Sequence, residues 1–197
     1  MSAPSVVLAT RSAGKLRELR PMFAAAGIEV HDLAELGIPE TTEEDTLECH
    51  DTFEANARAK ARYFFARSGG RAVIADDSGL EVRALGGAPS VLSKRWSGRD
   101  DLRGQALDDA NNALLVDRLR GVGDRRARYV CVAAYWDGAR DLIARGEVEG
   151  RIAEARASGP HGFGYDPYFI ADEIGRSFAD VPAVEKERVS HRARAFA

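Results

Sequence analysis

"VIADDSGLEV", residues 73–82, sets two adjacent carboxylates, Asp76 and Asp77, directly after a short apolar run. The apolar run predicts a buried strand that ends at the acids, and the alternation from Leu80 onward predicts a second strand. The carboxyl ends of strands are where ligands bind in open α/β sheets, so this position favours a functional site. An isolated Asp pair is more often a helix cap or a solvated turn. Other parts of the chain must therefore decide between the two interpretations.

The stretches around residues 73–82 alternate between strand and helix patterns, which predicts an α/β fold. Asp51 with Glu54 resembles a capping box at the start of the second helix. Ser190 can cap the second of two short helices near the end of the chain. We expect strands over 5–10 and 28–31, helices over 14–27, 51–70 and 182–197, and a long hairpin over 126–150 that turns at Asp137-Gly138. Because a hairpin is antiparallel, the predicted sheet is mixed.

Composition limits the class of protein. The 197 residues, 45% hydrophobic and 30% charged, suit a single domain over 1–197. A net charge of −3 gives no basic excess for a nucleic-acid polymer, although a single nucleotide remains possible. Two cysteines are too few for a disulfide framework, which predicts reduced thiols in a cytoplasmic protein. The first ten residues predict no signal peptide, and no apolar run is long enough to predict a membrane partner.

A candidate phosphate-binding turn lies in "ATRSAGKL", residues 9–16, between the first strand and the first helix. Thr10, Ser12 and Lys15 place hydroxyls and one cation beside the backbone N–H groups of a helix start, which suits a phosphate. The stretch is not a Walker A loop, because Ala9 and Leu16 replace its first glycine and its Ser/Thr. An ordinary strand–helix turn with a surface lysine is the alternative.

Two later stretches also suit a nucleotide. "HGFGYDP", residues 161–167, flanks aromatic residues with glycines, so Phe163 or Tyr165 could stack on a purine; rings that fill the core are the alternative. "EKERVSHRARA", residues 185–195, could bring Lys186, His191 and Arg192 to one place; a solvated charged helix is the alternative. Two carboxylates at 76–77 would favour Mg²⁺. Together these stretches predict one nucleotide site.

Five blocks of the sequence resemble the inosine/xanthosine triphosphate pyrophosphatase family in order and spacing: "ATRSAGK", "DTFEANARAKA", "ADDSGLEVRALGGAPS", "GFGYDPYF" and "SHRARA". The resemblance runs from Val6 to Ala195. It implies a two-lobed α/β fold, with a long mixed β-sheet flanked by helices and the active site in the cleft. It also implies a homodimer that uses Mg²⁺ to hydrolyse non-standard purine nucleoside triphosphates (ITP, dITP, XTP) to nucleoside monophosphate and pyrophosphate.

The resemblance also implies roles for individual residues. Asp77 would be the proton acceptor and would bind metal together with Glu48 and Asp76. The triphosphate would be held by the turn from Thr10 through Arg11, Ser12, Ala13 and Gly14 to Lys15. The remaining nucleotide contacts would come from Ser78, Phe163, Gly164, Tyr165, Asp166, Lys186, His191 and Arg192. Hypoxanthine and xanthine carry a 6-oxygen that can accept a hydrogen bond from Arg192 or His191, whereas adenine carries an amino donor there.

The sequence departs from the family pattern at several positions. Ser12 stands where the family usually has asparagine, and His50 where it has glycine. The chain also ends seven residues after Ser190, so its last helix is shorter than usual. These changes remove no predicted carboxylate and none of Lys15, Lys186 and Arg192.

Two other functions remain open. Septum-formation-type (Maf-like) pyrophosphatases share a related fold and prefer pyrimidine or modified nucleotides, but the "GFGYDP" and "SHR" blocks disfavour them. A nucleotide-binding module without catalysis would follow if Ser12 and His50 had impaired the site.

Overall fold

The computed structural model describes residues 4–197, and its strands form one seven-stranded sheet in the order β2-β1-β3-β4-β5-β6-β7. The strands are β1 (Ser5–Leu8), β2 (Glu29–Asp32), β3 (Val73–Val82), β4 (Arg126–Trp136), β5 (Asp141–Ile152), β6 (Phe169–Ala171) and β7 (Arg176–Ser177). β1 pairs in parallel with β2 and β3, whereas β6 pairs antiparallel with β5 and β7. The predicted mixed α/β sheet is therefore confirmed.

Five α-helices accompany the sheet in the described part of the chain: α1 (Ala13–Ala25), α2 (Phe53–Arg67), α3 (Gly104–Arg118), α4 (Ala183–Glu187) and α5 (His191–Phe196). The end of the chain forms two short helices, as predicted, and the Ser190 hydroxyl caps α5 by accepting from the Ala193 N–H at 3.1 Å. The capping-box prediction at Asp51 is wrong. Thr52 caps α2 instead, because its hydroxyl accepts from the Ala55 N–H at 3.2 Å.

The chain divides into two compact units. The first unit comprises the residues up to Asp77, Cys131–Arg145 and Phe196; the second comprises Ser78–Val130, Gly146–Ala195 and Ala197. The sequence predicts a single domain over 1–197, and the first three of these residues lie outside the described range. Each unit has its own apolar core. The first core includes Leu8, Leu19 and Phe23, and the second includes Leu80, Leu115, Phe169 and Phe178.

Residues 73–82 form one continuous strand, β3, so the prediction of two strands separated at the acid pair is wrong. Asp76 and Asp77 lie in the middle of this strand and not at its carboxyl end. The Ser78-Gly79 pair looks like a turn in the sequence, but Val73, Leu80 and Val82 are fully buried and hold both halves in the sheet. Burial therefore overrides the local preference of serine and glycine for a turn.

Gly146 of β5 allows α5 to approach the sheet closely within the second unit. A Cβ atom at this position would lie 2.2 Å from the backbone oxygen of His191 and 2.5 Å from the backbone nitrogen of Ala195. Arg194 secures the same contact by donating to the Glu147 carbonyl at 2.7 Å. Glycine at position 146 therefore determines where the first residues of α5, His191 and Arg192, are held.

Gly146→Ala is expected to lower the free energy of unfolding by about 1–3 kcal/mol, because the added methyl group must push the α5 backbone away from β5. Urea denaturation followed by circular dichroism measures the loss. Gly123→Ala is the control, because a Cβ there meets nothing within 4 Å and the residue does not have a positive φ. An equal loss in both variants would contradict the close-approach explanation.

Candidate functional site

Asp76 is buried in the first unit and is paired with a lysine. Its side chain is only 1% exposed, and its Oδ2 lies 2.8 Å from the Nζ of Lys15. The Cys131 thiol donates to the same oxygen at 3.7 Å. Lys15 is therefore not an exposed surface lysine: its side chain is 16% exposed and is directed at β3.

A second lysine, Lys60 of α2, lies among the other carboxylates of the first unit. Its Nζ donates to Glu48 Oε1 at 2.7 Å and to the Asp76 carbonyl at 2.6 Å, and it lies 3.5 Å from Asp77 Oδ1. Burial alone would lower the pKa of Lys60, but the charges of Glu48, Asp77 and Asp76 raise it above its ordinary value. Lys60 therefore stays protonated, and the charges of the acid pair are offset by two different lysines.

Asp77 is held on its other side by an amide. Asn56 Nδ2 donates to Asp77 Oδ2 at 2.8 Å, and Asn56 Oδ1 accepts from the His50 N–H at 2.9 Å. Burial raises the pKa of Asp77, and the nearby Lys60 and Lys15 only partly oppose this shift. A buried carboxylate whose pKa is raised and whose orientation is fixed has the properties of a general base.

Asn56 and Lys60 were not predicted as functional residues. They lie four residues apart on α2 and are buried, next to the apolar stripe of Phe53, Ala57, Ala61 and Phe64. The sequence does contain a signal for them, because two polar residues stand at i and i+4 beside an apolar stripe. Residues at this spacing share one face of a helix, so both are expected to be partly buried.

The turn before α1 uses its hydroxyls for local structure. Ser12 caps the helix by accepting from the Lys15 N–H at 3.3 Å, and the Ser12 N–H donates to the Thr10 hydroxyl at 3.1 Å. Ala13 and Gly14 begin the helix. The Arg11 side chain contacts the loop that follows β2, where it pairs with Glu44 at 2.8 Å and donates to the Ile38 carbonyl at 2.9 Å. Arg11 is therefore held by that loop, whereas Lys15 is held by β3.

The oxygen atoms around Lys60 are of the kind that binds a hard cation. Two carboxylates, from Glu48 and Asp77, and the Asp76 carbonyl oxygen surround one ammonium group. Oxygen ligands of this kind are those that Mg²⁺ prefers. Within residues 4–197, however, no three His, Cys, Asp or Glu side chains are grouped closely enough to form a metal site by themselves.

The second unit holds a separate cationic cluster. Lys186, His191 and Arg192 are 4%, 3% and 2% exposed, so the alternative of a solvated charged helix is wrong. Lys186 Nζ lies 2.6 Å from Asp166 Oδ2. The same Asp166 oxygen accepts from the Phe163 N–H at 2.9 Å, and the Tyr129 hydroxyl donates to the other oxygen at 3.3 Å.

The two aromatic residues of the glycine-rich loop lie in different environments. The Tyr165 ring is part of the apolar core, and its hydroxyl donates to the Ser93 carbonyl at 2.7 Å. The Phe163 ring is only partly buried, with Lys186 Nζ 5.1 Å and the Arg192 guanidinium carbon 5.8 Å from its centroid. Phe163 is therefore the ring that lies beside the cations.

Arg192 and His191 are held by different partners at the start of α5. Arg192 Nη2 donates to the Ser78 hydroxyl at 3.0 Å. The His191 ring stacks on Tyr129 at 4.6 Å between centroids, with 11° between the planes. The structure thus groups Ser78, Phe163 and Arg192 in the second unit.

Comparison with known proteins assigns the chain to a family. The sequence model of the Ham1 family matches residues 6–197. The chain belongs to the Ham1 family. The resemblance drawn from the sequence is confirmed, because relatives along nearly the whole chain carry the same activity in their names. A dITP/XTP pyrophosphatase of Burkholderia pseudomallei (strain K96243) is 45% identical over 194 residues, covering 97% of this chain and 89% of the relative.

Further Ham1-family relatives agree. A dITP/XTP pyrophosphatase of Bordetella pertussis (strain Tohama I) is 47% identical over 195 residues, covering 98% of this chain and 87% of the relative. The solved structure of a HAM1 protein from Coxiella burnetii has a TM-score of 0.81 at 32% identity, covering 98% of this chain and 94% of the other. A nucleoside-triphosphatase, dITP/XTP pyrophosphatase, from Mycobacterium abscessus has a TM-score of 0.69 at 37% identity, covering 98% and 96%.

No helix among residues 4–197 combines the length and the apolar character needed to cross a membrane.

Proposed function

We propose that this Ham1-family chain is a single pyrophosphatase domain that hydrolyses non-standard purine nucleoside triphosphates, ITP, dITP and XTP, to nucleoside monophosphate and pyrophosphate. The observation that carries the proposal is that the buried carboxylates of Asp76 and Asp77 lie beside two lysines, Lys15 and Lys60. A triphosphate requires cations of this kind to offset its negative charge. The names of the relatives, dITP/XTP pyrophosphatase, support the substrate class.

In this proposal Glu48, Asp76 and Asp77 would hold Mg²⁺, and the oxygens that support it are the Glu48 and Asp77 carboxylates and the Asp76 carbonyl, which surround the Lys60 ammonium group. When bound, Mg²⁺ neutralises phosphate charge and polarises the phosphoryl group. Lys15 and the backbone N–H groups of Arg11, Ala13 and Gly14 bind the triphosphate at the start of α1, since those of Thr10, Ser12 and Lys15 already donate within the turn. The Arg11 side chain contributes indirectly, since its bond to Glu44 fixes the loop that follows β2.

Asp77 acts as the proton acceptor. A water oxygen bonds to the α-phosphorus, its proton moves to the Asp77 carboxylate, and the α–β anhydride bond breaks with departure of pyrophosphate. Oδ2 is bound by Asn56 at 2.8 Å, whereas among residues 4–197 the only contact of Oδ1 is the long one of 3.5 Å to Lys60. Oδ1 is therefore the oxygen that accepts the proton.

The base is read by residues of the second unit. Phe163 offers an aromatic face, and Arg192 or His191 donates to the 6-oxygen of hypoxanthine or xanthine. Ser78 orients Arg192 through its 3.0 Å bond. Gly164, Tyr165, Asp166 and Lys186 support the loop that carries Phe163. Adenine presents an amino group at the same position, which leaves a buried donor unsatisfied at a cost of about 1–3 kcal/mol.

Arg192→Ala is expected to lower kcat/KM for inosine triphosphate by roughly ten- to a hundredfold, and to lower it much less for adenosine triphosphate. The physical reason is that, of the two bases, only hypoxanthine offers this guanidinium an acceptor at position 6. Steady-state pyrophosphate release measures both values. Arg188→Ala, an exposed arginine that follows α4, is the control and should change neither. Equal weakening of both substrates by Arg192→Ala would refute the base-reading role.

A panel of triphosphates tests the proposed substrate class. Inosine and xanthosine triphosphates should be hydrolysed with a much higher kcat/KM than adenosine and modified pyrimidine triphosphates in the presence of Mg²⁺. Preference for modified pyrimidines would favour the septum-formation-type activity instead. Tight binding of inosine triphosphate without pyrophosphate release would favour a binding module.

We also propose that the protein acts in the cytoplasm as a homodimer, as its family resemblance implies. Light scattering coupled to size-exclusion chromatography tests the assembly, since a dimer of the 21.4 kDa chain has twice that mass. A mass equal to that of one chain at micromolar concentration would contradict it.

A further inference from the structure

Two side chains of α3 bind the backbone of Gly164, one at its N–H group and one at its carbonyl group. Asp108 Oδ2 accepts from the Gly164 N–H at 2.8 Å, and Asn112 Nδ2 donates to the Gly164 carbonyl at 2.8 Å. Asp108 and Asn112 lie four residues apart, so both side chains project from one face of the helix. Neither residue was singled out from the sequence, and neither belongs to the nucleotide contacts proposed above.

The orientation of the Asn112 amide is fixed by its neighbours. Its Nδ2 donates both to the Gly164 carbonyl and to the Asp108 carbonyl, the latter at 2.9 Å. Only the nitrogen end of an amide can face two carbonyl oxygens. Asn112 is 2% exposed, so water does not compete effectively for these bonds. Removal of its amide would leave the Gly164 carbonyl without this buried donor, which is costly.

The Gly164 loop, residues 162–166, is also held from its other side. Asp166 Oδ2 accepts from the Phe163 N–H at 2.9 Å, and a Cβ at Gly162 would come within 2.4 Å of the same oxygen. Gly164 itself has a φ of +62°, a conformation that glycine adopts most easily. The backbone on both sides of the Phe163 side chain is therefore fixed before any ligand arrives.

We propose that Asp108 and Asn112 are positioning residues that fix the Gly164 peptide, and through it the Phe163 ring, and thereby set affinity for the purine base. The inference rests on the proposed function because it takes Phe163 as the ring that meets the base, whereas the fixing of the Gly164 peptide does not depend on it. Fixing a loop in its bound conformation raises affinity because less conformational entropy is lost on binding. The effect should therefore appear in KM and in base discrimination more than in kcat.

The kinetic test compares three alanine variants on the same helix. Asn112→Ala and Asp108→Ala should each raise KM for inosine triphosphate by roughly tenfold, with kcat changed by no more than about threefold. Asn111→Ala is the matched control: Asn111 is also buried, at 3% exposure, but it binds the Ser97 N–H at 2.8 Å and the Lys94 carbonyl at 3.0 Å. It should leave KM near the wild-type value.

A conservative variant separates positioning from general destabilisation. Asp108→Asn keeps a side-chain oxygen that can accept from the Gly164 N–H, so it should restore KM to within about twofold of the wild type. If Asn112→Ala and Asp108→Ala changed KM no more than Asn111→Ala does, or if Asp108→Asn failed to restore KM, the proposal would be overturned.

Amide hydrogen exchange measured by NMR tests the same inference without turnover. The Gly164 N–H should exchange at least about tenfold faster in Asp108→Ala than in the wild type or in Asn111→Ala, since its acceptor is removed. Unchanged exchange would overturn the positioning role. Wild-type protein that releases no pyrophosphate would instead refute the proposed function, and faster Gly164 exchange in Asp108→Ala would still support the positioning role.

Discussion

Asp77→Asn is expected to lower kcat for inosine triphosphate by roughly 10²–10⁴-fold, the usual contribution of a general base. Asparagine keeps the size of the side chain, and its oxygen can still accept from Asn56, so the fold should persist. It cannot take a proton from water. Nucleotide binding measured without Mg²⁺, which Asp77 would also hold, should persist, because the substitution removes a negative charge near the phosphates.

Turnover, circular dichroism and calorimetric titration with inosine triphosphate measure these three properties of Asp77→Asn. Asp45→Asn provides the control, since Asp45 is an exposed acid of the same unit and lies outside β3 in the sequence. Wild-type turnover in Asp77→Asn would show that another group accepts the proton.

Lys186→Met should cause the largest loss of stability, about 3–5 kcal/mol, because it leaves the Asp166 carboxylate without its buried cation. The side chains of Lys186 and Asp166 are only 6% and 3% exposed and lie 2.6 Å apart. Adding Asp166→Asn to Lys186→Met should recover part of the loss, since the double variant carries no uncompensated buried charge. Urea denaturation measures the free energy of unfolding of all three proteins.

The control for this second prediction is a surface ion pair of the same unit. Arg156 and Asp109 lie 3.1 Å apart, but their side chains are 46% and 53% exposed. Arg156→Met should hardly change the stability, because exposed pairs contribute little. A loss as large as that in Lys186→Met would mean that burial does not determine the strength of these pairs.

The elements that depend on local pattern could be predicted from the sequence. The Asp137-Gly138 turn joins two long strands, and Ser190 starts the last helix, because turn and capping preferences act over a few residues. The acid pair of β3 could not be placed correctly by the same means. Ser78-Gly79 has the local preference of a turn, and only the burial of the flanking residues in the sheet keeps it extended.

The candidate site depended even more on contacts between distant residues. Lys60 meets Glu48 and Asp77 from 12 and 17 residues away, and in its own stretch only its spacing of four from Asn56, beside the apolar stripe, distinguishes it from a surface lysine on a helix. Phe163 and Tyr165 are equally aromatic in the sequence. One ring is partly buried and the other lies in the core because the two residues make different contacts. The Asp166 carboxylate accepts from the Phe163 N–H, and the Ser93 carbonyl, which is distant in the sequence, accepts from the Tyr165 hydroxyl.

The most direct measurement of the central claim is ion chromatography coupled to mass spectrometry of the products formed by the purified wild-type protein from inosine triphosphate and Mg²⁺ in ¹⁸O-labelled water. We predict inosine monophosphate and pyrophosphate in equal amounts, with the label in the monophosphate, because water attacks the α-phosphorus. Adenosine triphosphate under the same conditions should give far less product. Inosine diphosphate with free phosphate, or equal hydrolysis of adenosine triphosphate, would contradict the proposed function.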